Sequence, residues 1–293
     1  MKLSLSSWSF YPLTSKGEMD VVDVVDKAKE LGFSAVEIVD ASFLPVEDLE
    51  GQMEIAKRIK ARADELGMPI NCYAIGAVLY YDNDEDSKKE VERVKGQLDI
   101  AKAMGCSVMR HDCLYGISKE SKARSFDQML PTLAKNIREI TEYGEKLGIK
   151  TCVENHGYEV NYSDRLERLF NAVNHPNFGL LVDFGNFSVV DEPNVPAVSR
   201  LAPYAVHVHA KDMLISAEEK EGFHPTRNFN YFQGTVIGTG TIDIVRCLKI
   251  MKRVKYEDFL TIEYEGKGDI IEGIANSRAY LKNALTEIEA YEE

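Results

Sequence analysis

The sequence predicts an α/β fold, a single (β/α)8 TIM barrel with an extended loop after its seventh strand. Three observations predict it. An amphipathic helix, a Gly or Pro stop and a short β-rich apolar run recur as one unit along the chain. The first strand is followed by "SFYPLTSKG", not by the Gly-rich phosphate loop of an open doubly wound sheet. No linker or low-complexity stretch divides residues 1–293, which therefore read as one domain.

Taken in order, "KLSLSSWSF" supplies the first strand. "KELGFSAVEIVD", "DELGMPINCYAIG", "AMGCSVMRHDC", "KLGIKTCVENHG", "NHPNFGLLVDFGN", "RLAPYAVHVHAKD" and "RVKYEDFLTIEYEG" bring the total to eight. Each Leu-Gly or Met-Gly ends a helix, with glycine as the left-handed residue, and the branched and aromatic run after it is a strand. Helices are expected near 20–31, 50–66, 87–104, 127–147, 164–174, 195–201, 242–252 and 271–290. In the fourth, Leu130, Leu133, Ile137, Ile140 and Tyr143 form one stripe at helical period. The acidic "YYDNDEDSKKE" (80–90) reads as a solvated lead-in to the third helix, capped by Asp or Ser. The longest irregular stretch, 213–240, follows the seventh strand and is expected to be an active-site loop.

An apolar content of 44% is enough to build a sizeable core. With 35 basic against 48 acidic residues, the net charge of −13 argues against nucleic acid as a partner, because such binding rests on neutralising phosphates. Cys72, Cys106, Cys113, Cys152 and Cys247 are scattered, odd in number and without a CxxC pair, as reduced buried thiols are. No run is long and apolar enough for a secretory signal or a membrane span, so the expected location is cytoplasmic.

In barrels of this kind the C-terminal strand ends carry the active site. "YAVHVHAKD" sets His207, His209 and Lys211 on one face of a strand that is otherwise apolar. Glu154, Asp183, His209 and Glu263 each close an apolar strand, on four consecutive strands. Half-buried carboxylates are costly unless paired or metal-bound. Lys211 and Arg227 offset part of that charge, and one divalent cation offsets more, with the imidazole as fourth ligand. His209 then faces the metal and His207 packs beneath it. Three oxygens and one nitrogen suit manganese first, with magnesium and cobalt close behind and zinc an ordinary user of the same ligands. His111 adjoins these residues as a candidate lining group. Trp8, the only tryptophan, ends the first strand as a wall for a sugar face or as core, and Glu265 is expected to point outward or toward a loop.

With those residues in place, the chain resembles the xylose isomerase-like TIM barrel superfamily, in its sugar phosphate isomerase/epimerase branch. "VENHG", "LLVDFGNF", "HVHAKD" and "FLTIEYEG" resemble the segments that carry that family's ligands, and the likeness extends over nearly the whole chain. It implies Glu154, Asp183, His209 and Glu263 as metal ligands, and Glu154 and Glu263 as the acid/base pair of a sugar isomerase or epimerase working through an enediolate. His111, His156, His207, Lys211 and Arg227 are then contacts for hydroxyls or an oxyanion. The chain departs from many ketose epimerases by carrying Asn186 where they place a histidine; Asn186 still offers a hydrogen bond to a substrate hydroxyl but does not titrate. The implied partner is a sugar or polyol, and the relatives' habits imply a homo-oligomer. A dehydratase of the inosose type on the same scaffold is the alternative. An endonuclease-like phosphodiesterase would need more than the six histidines present and a basic groove. A non-catalytic sugar-binding protein is the remaining reading.

Overall fold

The computed structural model describes residues 1–293. Eight strands form the barrel: β1 (Lys2–Ser6), β2 (Ala35–Val39), β3 (Ile70–Ile75), β4 (Val108–His111), β5 (Lys150–Glu154), β6 (Phe178–Asp183), β7 (Ala205–Ala210) and β11 (Phe259–Ile262). They pair in parallel and close in the order β1-β11-β7-β6-β5-β4-β3-β2. The helices are α1 (Tyr11–Thr14), α2 (Asp23–Glu30), α3 (Leu49–Leu66), α4 (Asp84–Met104), α5 (Phe126–Leu147), α6 (Ser163–Val173), α7 (Asn194–Leu201), α8 (Ile244–Arg253) and α9 (Ile270–Glu287). No helix is long and apolar enough to cross a membrane.

The helix stops follow the expected chemistry. α3, α4 and α5 end on Gly67, Gly105 and Gly148, all left-handed, with φ of 58°, 78° and 73°. α6 stops without glycine: Asn174 takes the left-handed turn instead, at φ 44°. The acidic lead-in to α4 is capped by Asn83, whose side chain accepts from the Asp86 N–H at 2.9 Å, and not by Asp or Ser.

The stretch 213–240 is not wholly irregular. β8 (Asp212–Ser216) and β10 (Tyr231–Thr235) pair antiparallel, and the short β9 (His224–Pro225) adds to β10's other side. "DMLIS" and "YFQGT" are as long as several barrel strands, but neither alternates apolar with polar residues or follows a Gly-terminated helix, so neither stands out from loop sequence. The excursion is thus a small three-stranded sheet.

Apolar packing falls in two places. A cluster of 70 buried residues fills the space between strands and helices. Only Cys72, Val108, Cys152 and Leu181, with Val206 against them, form a second one, inside the barrel. Beside this small cluster the interior is polar: Asn71 donates to Ser4 (3.1 Å), and the Ser4 and Thr261 hydroxyls meet. The barrel is therefore stiffened from outside by apolar burial and holds a hydrogen-bonded interior, which positions the residues above it.

Gly179 shows how closely β6 and β7 pack. A Cβ there would stand 2.3 Å from Val206 Cγ1 on β7, a branched side chain stiff at χ1. Gly179→Ala is expected to cost about 1–3 kcal/mol of stability, read as a lower urea midpoint with an unchanged slope.

Candidate metal and substrate site

Four strand ends converge as their register requires. Asp183 on β6 lies opposite His209 on β7, and Glu263 follows β11 directly, its N–H donating to Ala210 O at 3.2 Å. His209 Nδ1 stands 3.6 Å from Glu154 Oε1, 3.8 Å from Asp183 Oδ2 and 3.7 Å from Glu263 Oε2. One ligand atom from each of the four residues lies within 4.8 Å of every other. Atoms bonded to one ion at about 2.1 Å stand no more than about 4.2 Å apart, and the three distances from His209 Nδ1 fall inside that limit.

Two buried atoms test whether this set fits a cation. Asp183 Oδ2 and His209 Nδ1 are both buried with no hydrogen-bond partner, and both point into the gap. Buried polar atoms are nearly always satisfied, so an orphaned carboxylate oxygen beside an orphaned ring nitrogen fits an ion. The rest of Asp183 is fixed: its Oδ1 accepts from Gly185 N–H (2.6 Å) and Asn186 N–H (2.8 Å), and Asn155 pairs with its main chain in both directions.

Electrostatics agree. Glu37, Glu154, Asp183 and Glu263 crowd together with only Arg110 and Lys211 as permanent cations. Arg110 meets Glu154 at 2.5 Å and Lys211 meets Glu263 at 2.5 Å. Burial raises both glutamates, yet Arg110 holds Glu154 below its ordinary value, and Lys211 with His209 holds Glu263 well below. Asp183 has only the more distant Lys211, at 3.9 Å, as a permanent cation. Burial, reinforced by Glu154 and Glu263, pushes it up to about 7 against the pull of Lys211.

Beneath the four lies Glu37 on β2, fully buried, which the strand-end search did not single out. Its Oε2 accepts from His209 Nε2 and from His207 Nε2, each at 2.9 Å. A carboxylate oxygen in this state only accepts, so both Nε2 atoms carry hydrogen and His209 Nδ1 is the atom left to face the carboxylates. The signal was present as a lone Glu inside the apolar "SAVEIVD". It sits in mid-strand, below the rim where strand-end reasoning looks.

The other candidates divide. His156 lines the cavity of about 220 Å³ above the four residues. Its Nδ1 is 3.1 Å from Asp112, which Arg110 also holds at 2.8 Å. Lys211 and Trp8 line the same cavity. His207 does not: its ring is buried below, sharing Glu37 and standing 3.1 Å from Thr261 Oγ1. His111 is fully buried too, its Nδ1 on Asp112 O at 2.8 Å, and it does not reach the cavity. Asn186 turns inward, donating to Glu154 Oε1 (2.9 Å) and accepting from Lys211 (3.3 Å), so it braces the site. Arg227 lines a separate hollow with Arg124 and Arg165, its Nη1 on Tyr158 O at 2.6 Å. Glu265 does not point outward. It accepts from Trp8 Nε1 (2.7 Å) and from Lys211 (3.2 Å), fastening the tryptophan to the site.

Comparison with known proteins gives a consistent picture. Residues 25–284 match a profile described as xylose isomerase-like TIM barrel. Among curated relatives, the inosose dehydratase of Clostridium beijerinckii is 26% identical over 160 residues, 51% of this chain and 53% of the relative. The chain spans about half the length of the curated relatives it matches. A D-psicose 3-epimerase from Clostridium cellulolyticum H10, solved with D-tagatose, superimposes with a TM-score of 0.74 at 16% identity, covering 97% of this chain and 99% of that one. The IOLI protein, solved with a zinc atom, superimposes with a TM-score of 0.73 at 17% identity over 100% of both chains. At such identities the superpositions speak for the shared fold.

Two expectations follow. Glu37→Gln is expected to weaken divalent-metal binding about 10- to 100-fold, measured by calorimetry with manganese; wild-type affinity in the folded variant contradicts the orienting role. Burial holds His111 down at about 4, against about 6.5 when unfolded. The unfolded chain therefore takes up the extra proton between those values. The corresponding stability is complete above pH about 6.5 and lost as pH falls through about 4, about 3 kcal/mol in all. Urea unfolding across that range should show this slope in the wild type and lose it in His111→Gln.

Proposed function

Since the chain belongs to the xylose isomerase-like TIM barrel family, we propose that it is a divalent-metal-dependent sugar isomerase or epimerase. Glu154, Asp183, His209 and Glu263 hold the cation, with manganese favoured by the oxygen-rich set and zinc compatible with it. The observation that carries this reading is the meeting of four ligand atoms at one point, two of them on glutamates that neighbouring cations keep ionised.

A cation bound there supplies a Lewis acid that polarises a sugar carbonyl and stabilises the negative charge left when the adjacent carbon loses its proton. The chain supplies the proton transfers. Glu154 and Glu263 reach the cavity from β5 and from the end of β11, on separate sides of it. One takes the carbon-bound proton as its carboxylate, and a proton is returned either by that same glutamate or by the other once it has taken a proton from water. Return to the opposite face of the same carbon inverts it, while return to the neighbouring carbon isomerises. Arg110 and Asn186 hold Glu154 in place, and Lys211 holds Glu263. The Asp112–His156 pair stands at the same cavity, where its ring hydrogen-bonds a substrate hydroxyl.

That pair also favours a second reading. Loss of a β-hydroxyl after the same proton abstraction gives dehydration, and His156, oriented by Asp112, is placed to protonate the departing oxygen. Inosose dehydratases among the curated relatives support weighing this lyase chemistry.

Glu154→Gln and Glu263→Gln are each expected to lower deuterium exchange from heavy water into the substrate's carbon at least about 10²-fold, as loss of a general base does. Mass spectrometry of the same reactions separates the readings: an isomerase or epimerase conserves product mass, whereas a dehydratase yields a product lighter by one water. Undiminished exchange in both variants removes the glutamate pair from the chemistry.

A further inference from the structure

The cavity above the four ligands is small. At about 220 Å³ it falls short of the ~300 Å³ at which small-molecule pockets begin. A second cavity of about 420 Å³ adjoins it, and the two share Trp8 and Glu265 as a common wall. Around the second cavity stand Tyr11, His224, Phe232, Gln233 and Tyr264, contributed by α1, the small sheet and the segment after β11. Trp8 stacks on Tyr11 with ring centroids 4.5 Å apart, and Glu265 holds its indole N–H, so the wall is fixed from two sides.

The lining sets the chemistry of the occupant. Tyr264's hydroxyl is on Lys267 O (3.3 Å) and Lys267 Nζ is on Glu221 O (3.1 Å), whereas Tyr11, His224 and Gln233, also in the lining, make no side-chain hydrogen bond within the chain. A purely apolar occupant would strip water from these three groups without replacing it, at a cost for each. A purely polar one would leave the aromatic faces unused. A sugar ring answers both, with C–H faces for the aromatics and hydroxyls for the phenol, imidazole and amide. Lys267 and Glu265 bring one charge of each sign, so no cationic cluster awaits a phosphate.

We infer that this second cavity is a subsite for a second sugar ring, and that the substrate is an unphosphorylated disaccharide or other glycoside of at least two rings. The inference rests on the proposal that the metal-side cavity takes a sugar, and it narrows that proposal. The small sheet after β7 thereby acquires a purpose, since His224, Phe232 and Gln233 lie on its strands.

Trp8 is the only tryptophan, and its place in the shared wall makes its fluorescence a reporter that needs no turnover. The manganese-loaded full-length protein is titrated with cellobiose, maltose and lactulose, and with glucose, fructose and galactose as their component rings. At least one disaccharide is expected to bind about tenfold or more tightly than either of its component rings, as roughly 1.4 kcal/mol of extra contact gives. That ratio should fall toward unity in Phe232→Ala and in Gln233→Ala, the latter guarding against a folding defect in the former. A ratio near unity in the wild type, a ratio that survives both substitutions, or no response to any sugar overturns the inference. Deuterium exchange is scored separately on the same sugars. Selective disaccharide binding without exchange keeps the second-ring subsite and removes the isomerase reading. Exchange on monosaccharides without any preference for two rings does the reverse.

Discussion

A surplus of buried negative charge organises this barrel. Glu37, Glu154, Asp183 and Glu263 sit inside or at its mouth with Arg110 and Lys211 as the permanent cations among them. Such a cluster is tolerable only where each charge has partners or shares an ion. Much of the surrounding architecture follows from that need. Arg110 spans Glu154 and Asp112, Lys211 spans Glu263 and Glu265, and Asn186 joins Glu154 to Lys211. What remains unmatched lies on Asp183 and Glu37, each with one orphaned carboxylate oxygen.

The barrel interior mixes apolar and polar packing. Cys72, Val108, Cys152 and Leu181 form a small apolar cluster. Beside it, Ser4, Asn71, Thr261 and His207 form a hydrogen-bonded group. Glu37 connects this group to His209 by accepting from both imidazoles with one oxygen. The ring that faces the carboxylates is thus oriented from below by a network that never meets solvent. Rigid support of this kind is what a site needs if its ligand atoms are to stay preorganised.

The rim is built from segments that the barrel strands do not fix. Trp8 comes from the turn after β1, and Glu265 from the segment after β11. Joined by a hydrogen bond, they line both the metal-side cavity and the neighbouring one. Residues of the small sheet then finish the outer cavity. Chemistry is held on strand ends, and the extent of the space beside it is set by loops, as a barrel allows.

Most of the fold was legible in the sequence because both of its periods are local. Helical stripes, Leu-Gly stops and short branched runs recur within each unit, and the expected helices coincide with those observed to within a few residues. Glu154, Asp183, His209 and Glu263 were legible for a related reason: a charged residue that ends an apolar run stands out in one dimension. Glu37 carries the same kind of signal in mid-strand, but its meaning depends on two imidazoles 170 and 172 residues away. The small sheet escaped notice because β8 and β10 lack the alternation and the preceding Gly-terminated helix that mark the barrel strands, and pair across a loop.

By itself, then, the sequence determined the barrel and the four strand-end residues that meet at its mouth, because hydrophobic period and local turn chemistry act between near neighbours. Only the tertiary structure decided that His111 is a buried support, that His207, packed beneath as its spacing suggested, shares Glu37 with His209, that Asn186 braces Glu154, that Arg227 belongs to another hollow and that Glu265 fastens Trp8. Those outcomes depend on which side chains face one another once the barrel has closed, and contact across the barrel leaves no trace in the spacing along the chain.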